Sequence, residues 1–532
     1  MKNSAGLPLL ALLLACPALT RAAQPSLEEK AAQLLIISAE ASEVSTAAAY
    51  ARGGLGGVQL QWGSYSLEDT RRLTERLQSE AWASPSGVPL FIAVDYEGGS
   101  VYVPTTLGLL ELPTNMMLGA ADDENNTATL FYLAGKELRR AGINMAFGPV
   151  LDVNTNPKNP IIGIRSLGSD PQRTAELGGA ILNGLKAAGV IAVAKHFPGH
   201  GAAWQDSHKT LPEISISTAE LAATHLVPFR KAVELGIPAI MTAHIRYPAL
   251  DPARPATLSR AVLAGLLKRD LGFRGLVVTD SLDMKAITSR LPIHKAAAEA
   301  LKAGADLLLI GRGDPRKAAD EIVRQVKAGQ INETRLNDAY YKVLEAKRAA
   351  GLFVRQEATS PFDKAYMDIT AELSRQAVTL RGPACRLPLP AGKKVAVIMF
   401  APQRFASNAI QLYRVLRENG YDASQNFYDI GVDGADSKNL LAAAAAADVL
   451  VIGSFQWAGA QNVTQREIIT RLLASGKPSV LVSLMNPYDL AGYPQAGCTM
   501  ALYGMTEPSM AAAGEALSGL FEPTGRLPVA LP

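Results

Sequence analysis

Val190-Ile191-Ala192-Val193-Ala194-Lys195-His196-Phe197-Pro198-Gly199-His200-Gly201, followed closely by Asp206-Ser207-His208, decides how this chain is read. Residues 190–194 form an apolar run that predicts a buried strand. Pro198, Gly199 and Gly201 then exclude a regular helix directly after it. A Lys, three His and an Asp crowd into the segment that follows. A strand that ends in titratable residues on a Gly-containing loop is the pattern of an α/β active site.

The same pattern repeats on both sides of this stretch. Short apolar runs at 34–37, 57–60, 90–94, 143–147, 191–194, 239–242, 276–279 and 306–310 predict strands. Amphipathic runs such as 69–79, 130–141 and 173–188 separate them and predict helices. Eight such units between residues 27 and 350 predict a (β/α)8 TIM barrel. Asp95, Asp152, Lys195, His196, His244 and Asp280 all fall at or just past the C-terminal ends of these strands. In a barrel those ends share one face and converge on one pocket, whereas an open sheet spreads them along a line. Among them, Asp152 is read as a hydrogen-bonding scaffold residue.

Residues 351–390 are irregular and Pro-containing, with one helical pattern near 368–378, and read as a linker. Beyond it, predicted strands at 395–400, 449–452, 480–484 and 500–503 alternate with predicted helices at 407–419, 465–473 and 510–520. An Ala-rich helix precedes the second of these strands. This alternation predicts a smaller parallel α/β sandwich domain over 391–532. It carries no Gly-rich phosphate loop and is read as a supporting domain.

The whole chain has 532 residues, a net charge of +3 and no polybasic block, which argues against a nucleic-acid partner. Three Cys are too few for a disulfide scaffold. Cys385 and Cys498 are available to pair, but their spacing alone does not show it. At the N-terminus, Lys2 precedes a short apolar run, the pattern of an export signal over 1–22. That run falls short of the roughly 20 apolar residues of a membrane-spanning helix. Leu13-Leu14-Ala15-Cys16 resembles a bacterial lipoprotein box in which Cys16 carries a lipid anchor, and Thr20-Arg21-Ala22 offers an ordinary cleavage site instead. Either route predicts an exported, periplasmic or extracellular protein.

Two reaction classes fit the residues at the predicted pocket. Metal-dependent hydrolysis would use His and Asp as zinc ligands. The first two strands offer no His-x-His, however, and Pro198-Gly199 interrupts the helical spacing of His196 and His200. Glycoside hydrolysis needs a carboxylate nucleophile and a proton donor. Asp280 supplies the first from its strand end, and Asp283 is placed to cap the next helix. Asp206 and His208 are two residues apart, and a tight turn brings such a pair together as an oriented acid/base. A non-catalytic wall-binding lipoprotein is the reading from outside enzymology.

Lys195-His196-Phe197-Pro198-Gly199-His200-Gly201 with Asp206-Ser207-His208 resembles the signature of β-N-acetylglucosaminidases of glycoside hydrolase family 3. Asp95-Tyr96-Glu97-Gly98-Gly99, Gly148-Pro149-Val150-Leu151-Asp152, Arg165-Ser166, Met241-Thr242-Ala243-His244 and Thr279-Asp280-Ser281-Leu282-Asp283-Met284 follow in the family's order. Pro523-Thr524-Gly525-Arg526-Leu527-Pro528-Val529 resembles the close of its second domain. The resemblance implies a retaining, exo-acting enzyme in which Asp280 is the nucleophile and His208, paired with Asp206, the acid/base. It implies that Asp95, Arg165, Lys195 and His196 bind hydroxyls of the terminal sugar, with no metal or organic cofactor. The implied partner is a cell-wall muropeptide or a chitin-derived oligosaccharide, and β-glucosides or phosphorolysis are the alternatives within the family. One departure stands out: Glu97-Gly98-Gly99 continues as Ser100-Val101-Tyr102-Val103 where the family often has Arg-Val-Gln-Arg.

Overall fold

Apolar runs flanked by capped helices fold as predicted in the computed structural model. It describes residues 24–61, 65–99, 108–354, 363–431, 434–457, 459 and 461–532. The lipoprotein box with Cys16, the alternative cleavage site Thr20-Arg21-Ala22 and the Ser100-Val101-Tyr102-Val103 departure lie outside these residues. The strands of the first domain are β1 (Leu35–Ala39), β2 (Gly57–Leu60), β3 (Phe91–Asp95), β4 (Met145–Phe147), β5 (Ile191–Phe197), β6 (Ala239–Thr242), β7 (Leu276–Thr279) and β8 (Leu308–Leu309). Consecutive strands pair in parallel from β1 to β7, and β8 pairs with β1. A parallel bridge between Val278 and Leu307 completes the ring beside β7. The result is the predicted (β/α)8 barrel, with nearly every strand residue buried.

The helices start where polar side chains satisfy their free N–H groups. Ser66 and Asp69 form a capping box at Leu67–Trp82, and Asp170 caps Pro171–Ala187 with Pro at the helix start. The helix predicted near 130–141 runs over Glu124–Arg140, because Asp123 caps it before the apolar face begins. Asp283 caps no helix: Met284 occupies the N-cap of Lys285–Thr288 without a side-chain bond. The Asp283 carboxylate instead accepts from the Ser281 hydroxyl at 2.7 Å and the Arg312 N–H at 3.0 Å, which anchors the end of β7.

The second domain contains β9 (Thr379–Arg381), β10 (Lys394–Phe400), β11 (Asp422–Tyr428), β12 (Val449–Ser454), β13 (Ser479–Ser483) and β14 (Thr499–Ala501). They form one sheet in the order β11-β10-β12-β13-β14-β9. Five strands are parallel, and β9 adds an antiparallel edge to β14. That edge strand comes from the segment read as a linker. The chain enters it from the helix Asp363–Ala377, which packs on barrel helices and on the helix Glu507–Leu517. Cys385 and Cys498 are disulfide-bonded across this same edge. Among the described residues, no helix is long and apolar enough to cross a membrane.

The two domains meet at the C-terminal side of the barrel, where Met116, Met117 and Ile164 pack into the core of the second domain and polar contacts surround them. Asn154 Nδ2 donates to the Tyr488 hydroxyl oxygen at 2.8 Å, and the Thr114 hydroxyl donates to the Tyr503 carbonyl at 2.7 Å. Asn486 lies against Gly163, where an added Cβ would come within 3.1 Å of its Nδ2. These contacts brace the barrel loop that carries Arg165. Arg375 and Glu515 form a further ion pair, 2.7 Å apart, from the helix Asp363–Ala377 to the second domain.

Candidate active site

The strand ends bring their titratable residues to one pocket of about 210 Å³, where Asp95, Arg165, Lys195, His196, His208 and Asp280 all line the wall. A larger crevice of about 630 Å³ lies among Arg71, Trp82, Arg139 and Arg140. It has no imidazole among its walls, so the chemistry assigns the reaction to the smaller pocket.

Lys195 and His196 lie within β5, which runs to Phe197, farther than the apolar run alone suggests. The peptide bonds Lys195–His196 and Phe197–Pro198 are cis. The turn that follows passes close against the neighbouring loop. A Cβ at Gly201 would stand 1.7 Å from the Val153 carbonyl oxygen, so only glycine fits there.

Lys195 Nζ contacts Asp95 Oδ1 at 2.6 Å and Glu97 Oε1 at 2.5 Å. Glu97 also receives two bonds from Arg165, Nε to Oε2 at 2.6 Å and Nη2 to Oε1 at 2.8 Å. Glu97 is 2 % exposed. Burial pushes its carboxyl up, but the Arg165 and Lys195 charges outweigh this and hold it at about 2. Burial likewise disfavours the Lys195 ammonium, and Asp95 and Glu97 more than compensate, so it stays a cation. Gln59 Nε2 donates to the second oxygen of Asp95 at 2.8 Å, and the Ser38 hydroxyl holds Gln59 at 2.6 Å. Two anions and two cations thus fix one another, with Asp95 left one-third exposed to the pocket.

Asp152 serves as the scaffold expected of it. It is fully buried, with Oδ2 2.7 Å from His196 Nδ1 and Oδ1 accepting the His200 N–H at 2.6 Å. Burial raises its carboxyl, but these partners hold it at about 2. With Asp152 on Nδ1, the His196 ring presents Nε2 to the Arg165 guanidinium, 3.5 Å away.

Asp280 follows β7 and is half-buried. Burial raises its carboxyl, but His244, His196 and the Ser281 N–H keep it below the ordinary carboxylate value, so it is ionised at neutral pH. That N–H donates to Asp280 Oδ1 at 2.7 Å. His244 braces the same residue, Ser281, through its carbonyl. Its Nε2–H donates to the Ser281 carbonyl at 2.9 Å, and its Nδ1 meets the Thr257 hydroxyl at 2.7 Å. Burial lowers the His244 pKa, and the neighbouring Asp280 charge opposes that shift without cancelling it.

The third component stands on the loop after β5. Asp206 Oδ1 is 2.9 Å from His208 Nδ1 and also accepts the His208 N–H at 2.9 Å. Burial raises the Asp206 carboxyl, but His208 outweighs it and the group is shifted down. The His208 ring is half exposed. Ser207 between them is buried, its hydroxyl 3.0 Å from His200 Nε2. Burial drives the His200 pKa down to about 4, so this ring is neutral. Among the described residues, no three His, Cys, Asp or Glu side chains converge as a metal-ligand set.

Sequence reasoning did not single out Glu97, Gln59 or Gln61. Glu97 was present in the quoted Asp95-Tyr96-Glu97-Gly98-Gly99 run, but its partner Arg165 comes from a distant loop. Gln59 and Gln61 sit at the end of β2, where a neutral amide gives no charge signal.

The glycosyl hydrolase family 3 N-terminal domain matches residues 26–346. β-Hexosaminidase A of Pseudoalteromonas piscicida is 30% identical over 521 residues, covering 86% of each chain. A β-N-acetylglucosaminidase/β-glucosidase of Cellulomonas fimi is 28% identical, covering 96% of this chain and 94% of its own. The structure of a family 3 β-N-acetylglucosaminidase from Paenibacillus sp. str. FPU-7 superimposes with a TM-score of 0.88 at 30% identity, over 96% of this chain and 99% of that one.

Proposed function

We propose, from the premise that this chain belongs to glycosyl hydrolase family 3, that it is a retaining β-N-acetylglucosaminidase removing terminal β-linked N-acetylglucosamine. The observation that carries this reading is the pairing, in a one-sugar pocket, of an ionised carboxylate, Asp280, with a carboxylate-oriented imidazole, His208. Its similarity to chains named β-hexosaminidase and β-N-acetylglucosaminidase supports the choice of sugar.

The terminal ring enters with its hydroxyls toward Asp95, Lys195, Arg165 and His196. Asp280 attacks the anomeric carbon and forms a glycosyl ester as the bond to the leaving oxygen breaks. His208 gives its proton to that oxygen. Water then enters, His208 takes a proton from it, and the ester opens to free sugar and regenerated carboxylate. Two displacements at one carbon retain the anomeric configuration. Asp206 stays ionised throughout, aims the imidazole and stabilises its cation. The small pocket suits release of one sugar from a chain end.

Export of this enzyme to act on muropeptides or chitin fragments is part of the same proposal. The Cys385–Cys498 disulfide supports it, because such bonds persist in oxidising compartments. Intact mass from the native host tests it: the mature chain begins at a lipidated Cys16 or just after Ala22, and an unprocessed Met1 refutes both. For the reaction, hydrolysis of an aryl β-N-acetylglucosaminide is compared with that of an aryl β-glucoside, with and without phosphate. Preference for the glucoside, or a glycosyl phosphate product, would move the assignment to another activity of the family.

A further inference from the structure

Trp204 is the most exposed large aromatic among the described residues, at 66%. Its exposure does not come from a loosely attached loop. Ala203 before it is fully buried, its N–H bonded to the His200 carbonyl at 3.1 Å and its own carbonyl held by Asn156 Nδ2 at 2.8 Å. Ser207 after it is 3% exposed and tied to His200. Between these anchors Trp204 and Gln205 are exposed, and Asp206, largely covered, closes the arch and orients His208. An indole held in water forgoes the burial that its large apolar area normally gains.

We propose that Trp204 is the platform for the leaving-group sugar, stacking against the second pyranose ring of a β-linked oligosaccharide. The proposal rests on the glycosidase reading above. The pocket has room for one ring, walled by Asp95, Lys195 and Asp280. The rest of the substrate begins at the oxygen that His208 protonates and so leaves the pocket beside the 204–206 arch. The apolar C–H face of a pyranose packs on a flat aromatic face, which leaves the sugar's hydroxyls in water. Carried on the same short arch as Asp206, the indole couples binding of the second ring to placement of the acid.

The test compares N,N′-diacetylchitobiose with N-acetylglucosaminyl fluoride, whose leaving group has no ring. In Trp204→Ala the ratio of kcat/KM for chitobiose to that for the fluoride falls about tenfold, chiefly through KM, as for other aromatic stacking contacts. Trp204→Phe restores most of the ratio. Trp82→Ala, an exposed indole elsewhere on the barrel, keeps the wild-type ratio. Calorimetry of chitobiose on Asp280→Asn protein, which does not turn over, shows a similar loss of affinity when Trp204→Ala is added. An unchanged ratio with unchanged affinity overturns the platform, as does an equal fall of kcat on both substrates. Wild-type protein inert on both compounds would instead overturn the glycosidase reading, and the proposal with it.

Discussion

Oδ1 of Asp206 accepts two hydrogen bonds from His208, one from the backbone N–H and one from Nδ1, both 2.9 Å long. A single carboxylate oxygen therefore fixes both the turn and the ring of the residue two positions on. Every role assigned to His208 depends on this relationship.

The acid/base prediction follows directly. A phenolate leaving group of low pKa needs little protonation, so His208→Ala slows the first step less than the second. Loss of general-base help lowers the second step by about 10²–10⁴. Stopped-flow release of dinitrophenol from its β-N-acetylglucosaminide shows a burst followed by slow turnover. Azide restores turnover and yields the β-glycosyl azide. Asp206→Asn gives a milder version, because the ring keeps a neutral hydrogen-bond partner but loses the stabilising charge. Wild-type kinetics in His208→Ala would remove it from this role.

Glu97 is predicted to matter as much as the residues proposed to bind sugar. Glu97→Gln leaves Lys195 and Arg165 short of the charge that positions them. Activity as kcat/KM falls roughly ten- to hundredfold, the equivalent of one charged hydrogen bond at about 1.5–3 kcal/mol. The sign of its stability effect also follows. Glu97 is held at about 2 against an ordinary 4.5, so its ion pairs stabilise the fold above that ordinary value and lose effect as pH falls toward 2. Melting temperatures across this range show a shallower acid decline in the Gln variant, from a lower starting point. A variant with wild-type kcat/KM would mean that the cations hold their places without it.

Asp489 behaves in the opposite sense. It is buried in the second domain with neither carboxylate oxygen hydrogen-bonded in good geometry, although the Ser454 and Ser483 hydroxyls lie close. Burial dominates and pushes its pKa up to about 7 from 3.8. The unfolded chain loses this proton first, so stability falls as pH rises from about 4 to about 7, by at most roughly 4 kcal/mol. Asp489→Asn removes that decline. Its melting temperature exceeds wild type by several degrees at pH 8 and converges with it near pH 4. A parallel offset at both pH values would show that the carboxyl does not titrate in this interval.

The barrel was legible because its strands are short apolar runs and its chemistry sits at their ends. β2, β6 and β7 have the bounds that the runs predict. β11 escaped notice because Asp-Ala-Ser-Gln-Asn-Phe-Tyr at 422–428 is a sheet edge, polar and only half-buried. β9 is three residues long, and its pairing depends on where the helix before it docks. The Asp206–His208 turn is local and so readable from spacing. The Glu97–Arg165 pair joins distant loops, and Asp283 stands one residue before the N-cap, Met284, with its carboxylate taken up by Ser281 and by Arg312 from a distant loop. Contacts set by tertiary packing carry no local signature in the chain.

The central claim is that Asp280 is the atom-bonding nucleophile, and covalent trapping tests it most directly. Incubation with a slowly turned-over fluorinated N-acetylglucosaminyl fluoride, followed by proteolysis and tandem mass spectrometry, locates the labelled residue. The account predicts one sugar per chain, esterified to Asp280, and no label in Asp280→Ala. A label on any other residue, or stoichiometric labelling of Asp280→Ala, would contradict it.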